Sequence, residues 1–124
     1  MDTVSRKLED AVHELAFADI LKGAEESFES SPLLGQLVAL GTELWIDTGD
    51  LDLARSVWKR ELTSLTTNNT LANQVVQTGV MDEIIHETIS RLNGVAPGLT
   101  EEEKVTEVGF VINCRIALRL VRAF

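Results

Sequence analysis

The chain has 124 residues, enough for one domain, and its 44% hydrophobic and 25% charged residues exclude a disordered tail. A formal charge of −9 argues against nucleic acid, whose affinity rests on neutralising phosphates, and against adhesion to anionic membranes. No apolar run approaches the roughly 20 residues that span a bilayer. Residues 1–9 do not read as a secretory signal, and a single cysteine, Cys114, excludes an internal disulfide and fits a reducing compartment. A cytoplasmic protein is expected.

In chain order, residues 3–21 read as an amphipathic helix, because Val4, Leu8, Val12, Leu15 and Ile20 recur at helical spacing, and Gly23 ends it. Ser31-Pro32 is a helix start with Ser at the cap and Pro in the first turn, and Gly41 closes the short helix that follows. The pattern then changes. Leu44-Trp45-Ile46 is a compact apolar run ending in Asp47-Thr48-Gly49-Asp50, which predicts a strand buried on both faces and then a turn. Residues 51–60 read as a helix capped by Asp50, with Leu51, Ala54, Val57 and Trp58 on one face. Ser64-Leu65-Thr66-Thr67 is a second, weaker strand. Asn68-Asn69-Thr70 starts a helix that stops near Gly79, and residues 81–92 form the next one, broken by Asn93-Gly94 and Pro97-Gly98. Thr100 and Glu103 make a capping-box pair for a last helix from Glu101, acidic at its start and basic (Arg115, Arg119, Arg122) at its end. Two strands around a helix form a parallel β-α-β unit, whose open edges invite a larger sheet or a second copy of the chain.

The motif Leu44-Trp45-Ile46-Asp47-Thr48-Gly49-Asp50, followed by Leu65-Thr66-Thr67-Asn68-Asn69, resembles the first two strands of the transaldolase family, in which an apolar strand ends in Asp-Ser/Thr-x-Asp and the next in Thr-Thr-Asn-Pro. The resemblance implies an α/β fold: residues 1–42 as a helical extension, and residues 43–124 as the first two β/α units of a (β/α)8 TIM-type barrel. It implies transfer of a dihydroxyacetone unit between sugar phosphates through a lysine Schiff base, with no metal or organic cofactor. On this chain, Asp47 matches the acid/base aspartate that moves a proton at a sugar hydroxyl during C–C cleavage. Asn68 matches the asparagine that positions substrate hydroxyls, and Thr66 and Thr67 match the two threonines before it. Asn69 departs from the family by replacing its proline. The family's Schiff-base lysine, catalytic glutamate and phosphate-gripping residues belong to later strands. Lys7, Lys22, Lys59 and Lys104 all fall on predicted helices or helix ends, so the chain alone is expected to be inactive.

Plainer readings stand beside this one. Asp47 and Asn68 suit a turn and a helix cap, Trp45 and Trp58 suit a core, Cys114 suits a buried inert thiol, and the arginine stripe suits a solvated helix end. Asp10/His13 and Glu83/His86 are carboxylate–histidine pairs at i and i+3, the spacing used by metal-binding helical bundles. A third class is a non-catalytic module that pairs with copies of itself.

Overall fold

The computed structural model describes residues 3–18 and 27–123. The elements are α1 (Thr3–Phe17), α2 (Pro32–Ala39), β1 (Leu44–Asp47), α3 (Leu51–Val57), β2 (Leu62–Thr66), α4 (Asn69–Gln77), α5 (Asp82–Val95) and α6 (Glu101–Ala123). The expected end of the first helix, with Ile20 and Gly23, lies outside the described residues, as does the Arg122 side chain.

The expected barrel architecture is overturned. Among the described residues there are six helices and only two short parallel strands, a mixed but helix-dominated fold rather than (β/α)8 barrel units. The physical reason is where the apolar side chains meet. α1, α5 and α6 pack against one another, and α3 and α4 rest on α6. Val12 of α1, Ile84 and Leu92 of α5, and Val111, Ile112, Ile116 and Leu120 of α6 form one buried cluster with Ala54 of α3 and Ala72 of α4. The core is thus a helical one that the β-α-β unit joins from the side, and the sheet does not enclose a core of its own.

The helix ends follow local chemistry. Ser31 caps α2 by accepting from the Leu34 N–H at 3.4 Å, with Pro32 in the first turn. Gly41 and Gly79 take positive φ angles of 87° and 81° just past α2 and α4, the left-handed stop that glycine permits. Thr100 and Glu103 close the expected capping box at α6, with the Thr100 N–H 2.8 Å from Glu103 Oε2 and the Glu103 N–H 3.2 Å from Thr100 Oγ1. The Thr100 N–H, and after it the Thr100 hydroxyl donating to the same Oε2 at 3.0 Å, hold the Glu103 carboxyl below its ordinary range. The expected break at Asn93-Gly94 is corrected: α5 runs through both to Val95, because one glycine is tolerated in a helix and Pro97 is the residue that cannot continue it. α3 stops at Val57, short of the predicted residue 60, where Trp58 turns extended to feed β2.

β1 and β2 pair in parallel, with Ile46 opposite Leu65 and Asp47 opposite Thr66. β1 is not buried on both faces as its apolar run suggested. Leu44 and Ile46 are half-buried while Trp45 and Asp47 are exposed. Leu65 packs on the helical core, so that face of the sheet is covered, and the face bearing Trp45, Asp47, Ser64 and Thr66 is open. Trp45, expected in the core, is therefore 59% exposed, with its indole N–H donating to Glu43 Oε2 at 3.2 Å. Trp58 is half-buried, its ring 6.2 Å from that of Phe28.

The chain before α2 is laced to the α3–β2 turn. The Arg60 N–H donates to Glu29 O at 3.1 Å, Arg60 Nε to Phe28 O at 2.9 Å, and the Ser31 N–H to both Glu61 carboxylate oxygens at 2.9 Å, while the Ser30 hydroxyl also donates to Glu61. Two cation–carboxylate pairs, Lys59–Glu29 at 3.4 Å and Arg91–Glu14 at 2.8 Å, lie at the surface and add little. Among the described residues no helix is long and apolar enough to cross a membrane.

Candidate functional site

Asp47 closes β1, and Thr66 closes β2 beside it in register. The Thr66 hydroxyl donates to Asp47 Oδ1 at 2.9 Å, which ties the two strand ends together through their side chains. The other Asp47 oxygen has no protein partner among the described residues. Behind them the backbone ladder goes one step further, with the Thr48 N–H donating to Thr66 O at 2.9 Å.

Asn68 caps α4. Its Oδ1 accepts from the Leu71 N–H at 3.0 Å. With the oxygen committed, the amide nitrogen is the group left to offer, so Asn68 presents donors where Asp47 presents an acceptor. Both side chains line one shallow hollow, together with Asn69, Thr70 and Leu71. This places two of the predicted site residues at one rim, with Thr66 positioning the first. Asn69, the departure from the family motif, opens α4 and lines the same hollow.

Thr67 is not brought there. It follows β2 on the opposite side from Thr66, and its hydroxyl is buried without a hydrogen-bond partner, within 3.3 Å of the position a Cβ on Gly49 would take. Thr48 was missed as a contributor. It is 4% exposed, and its Oγ1 accepts from the Asp50 N–H at 3.1 Å. That bond shapes the turn from β1 into α3, where Asp50 Oδ1 caps the helix by accepting from the Asp52 and Leu53 N–H groups at 2.9 and 3.1 Å. The signal was present as a threonine two residues before a capping aspartate, a local turn pattern. Gly49 between them is closely surrounded, since a Cβ there would meet Leu71 O, Thr67 Oγ1 and Val75 Cγ2, each at 3.3 Å.

Asp47 offers the hollow an acceptor and Asn68 a donor, the two kinds of hydrogen-bonding group that a hydroxyl can pair with. No lysine lines it. Lys59 pairs with Glu29, Lys104 with Glu101, Lys7 is exposed on α1, and Lys22 lies outside the described residues. The histidines of the metal alternative, His13 and His86, are exposed, with the His13 ring 4.8 Å from that of Phe17 and tilted 31° to it. Among the described residues no group of three or more His, Cys, Asp or Glu side chains is placed to hold a metal ion.

Cys114 is half-buried on α6, and desolvation raises its thiol pKa, which suppresses the reactive thiolate. The arginine stripe of α6 is not simply a solvated face. Arg115 is half-buried and donates to Leu15 O at 3.3 Å, while Arg119 is half-buried at a cavity wall. Comparison with known proteins returned no matching family model, no matching curated protein and no matching solved structure.

Proposed function

We propose that the chain supplies the acid/base half of a transaldolase-type site: it holds the hydroxyls of a sugar phosphate between Asp47 and Asn68. In the full reaction, Asp47 takes the proton from the hydroxyl next to the breaking C–C bond. A lysine must form the Schiff base that draws electrons from that bond, and none of the described lysines faces the hollow. The chain alone is therefore a binding half-site without turnover. The observation that carries this reading is the Thr66–Asp47 bond of 2.9 Å beside an Asn68 whose oxygen is already spent. A cytoplasmic setting goes with it, since sugar phosphates are intracellular metabolites and the lone Cys114 suits reducing conditions.

Titration of the labelled protein with fructose 6-phosphate, followed by NMR, tests the reading. Saturable shifts are expected at Asp47, Thr66, Asn68 and Leu71, and Asp47→Ala abolishes them. Shifts that never saturate, or that fall elsewhere, sink it. Borohydride added to the same mixture is expected to leave all four lysines unmodified by mass spectrometry, and an adduct on any of them overturns the claim of inactivity.

A second reading has its own observation. α2 carries no charged residue and buries none of its side chains, with Leu33 71% exposed and Leu40, its C-cap, 81% exposed. An uncharged face on so acidic a chain is where a second copy meets least repulsion, and the open strand edges add backbone donors and acceptors. This reading makes the chain a self-associating module.

A further inference from the structure

A second cavity, of about 380 Å³, opens between α3, the α4–α5 turn and α6. It adjoins the Asp47 side of the molecule through the Gly49–Asp50 turn, Val75 and Thr78, which also border a smaller hollow that reaches Asp47. Met81 and Ile116, each 1% exposed, contribute to its wall, and half-buried Leu51 and Val75 complete an apolar lining. The volume lies at the lower end of the range for small-ligand pockets, which are apolar with a few convergent polar groups.

Most polar groups at this cavity are already committed. The Asp50 carboxylate caps α3, and the Thr78 hydroxyl donates to Val75 O at 2.6 Å. Arg119 differs. It is half-buried against the apolar lining, yet it makes no hydrogen bond or ion pair among the described residues. A guanidinium without a protein partner among the described residues, beside an apolar cavity wall, favours a planar anion that can take two of its N–H groups at once. Asp50 and exposed Asp52 also line the cavity, and their charges oppose any anion there, a phosphate dianion more than a monocarboxylate held by Arg119.

We infer that this cavity binds a small monocarboxylate with an apolar body, an aryl or branched-alkyl acid, its carboxylate on Arg119 and its body against Val75, Met81 and Ile116. The site stands whether or not the Asp47 hollow takes sugars.

The test is NMR titration of the intact chain with three probes: 4-phenylbutyrate, its neutral amide and inorganic phosphate. The acid is expected to give saturable shifts at Gly49, Val80 and Arg119. The amide is expected to bind about tenfold more weakly, as fits the loss of one charge-assisted contact, and phosphate to give no saturable shift there. Arg119→Gln lowers the affinity for the acid by a similar factor, and Arg119→Lys restores part of it. The proposal is overturned if acid and amide bind equally, if phosphate saturates the same signals, if Arg119→Gln leaves the acid's affinity unchanged, or if the acid produces no saturable shift. The acid–amide comparison uses the unaltered protein, so it decides even if the variants fold poorly.

Discussion

Asn68 has an observed role as a helix cap and a proposed one toward the ligand, and the two separate by substitution. Its oxygen holds the first turn of α4, and the residue lines the hollow with its amide nitrogen left to donate. Asn68→Ala removes both, and is expected to cost about 1 kcal/mol of stability in a denaturant titration. Asn68→Asp keeps an oxygen for the Leu71 N–H, so stability stays near that of the parent, yet the amide donor is gone and fructose 6-phosphate binding falls severalfold. Equal sugar affinity in the Asp variant removes Asn68 from the site. The cap was legible in the sequence, because an asparagine ahead of a helical run is a local pattern. The split between Thr66 and Thr67 was not. Adjacent strand residues point to opposite faces, and which one meets Asp47 depends on a register that only the pairing with β1 fixes. Trp45 is a similar case: its apolar run announced a strand, but whether a layer covers that face is decided by helices distant in sequence.

The turn from β1 to α3 is where element geometry is tightest. Gly49 sits against Leu71 O and Val75, so Gly49→Ala forces a Cβ into space already filled. A loss of about 1–3 kcal/mol is expected, read as a melting temperature lower by several degrees. An unchanged melting temperature means that the α4 backbone can retreat. The tether of α2 is governed by charge instead. Glu61 is held below the ordinary carboxylate range chiefly by the Ser30 hydroxyl and then by the Ser31 N–H. A depressed carboxyl contributes stability that is full above its unfolded value, about 4.3, and that is lost as pH falls through the folded one. Hydrogen-exchange protection at the Ser31 and Arg60 amides is therefore expected to hold at pH 6 and to drop below about pH 4.3. Glu61→Gln should remove that pH dependence, and protection that is flat with pH counts against the tether. Helix starts and stops of this kind were readable from Ser31-Pro32, Gly41, Gly79 and Thr100. The end of α5 was misplaced because a glycine weighs less against a packed helix than against an isolated one.

At the scale of the whole molecule, helical spacing in α1, α5 and α6 was readable, but their mutual packing was not. The β-α-β pattern pointed to a sheet-centred barrel, whereas the buried cluster lies among helices from both ends of the chain. One surface consequence is measurable. If the uncharged α2 face meets its own copy, sedimentation velocity should show a concentration-dependent dimer, and Leu33→Ser with Leu40→Ser should shift it to monomer. A monomer at all concentrations leaves the self-association reading without support.

α6 touches α1, α3, α4 and α5, and Arg115 reaches back to Leu15 near the start of the chain. On the ribosome, the β-α-β unit is thus complete long before the helix that it leans on has been made. Over the same interval the apolar stripe of α1 has only α5 to pack against. The nascent protein passes through a stage in which two immature halves share one missing keystone, the stage at which a chaperone has most surface to grip.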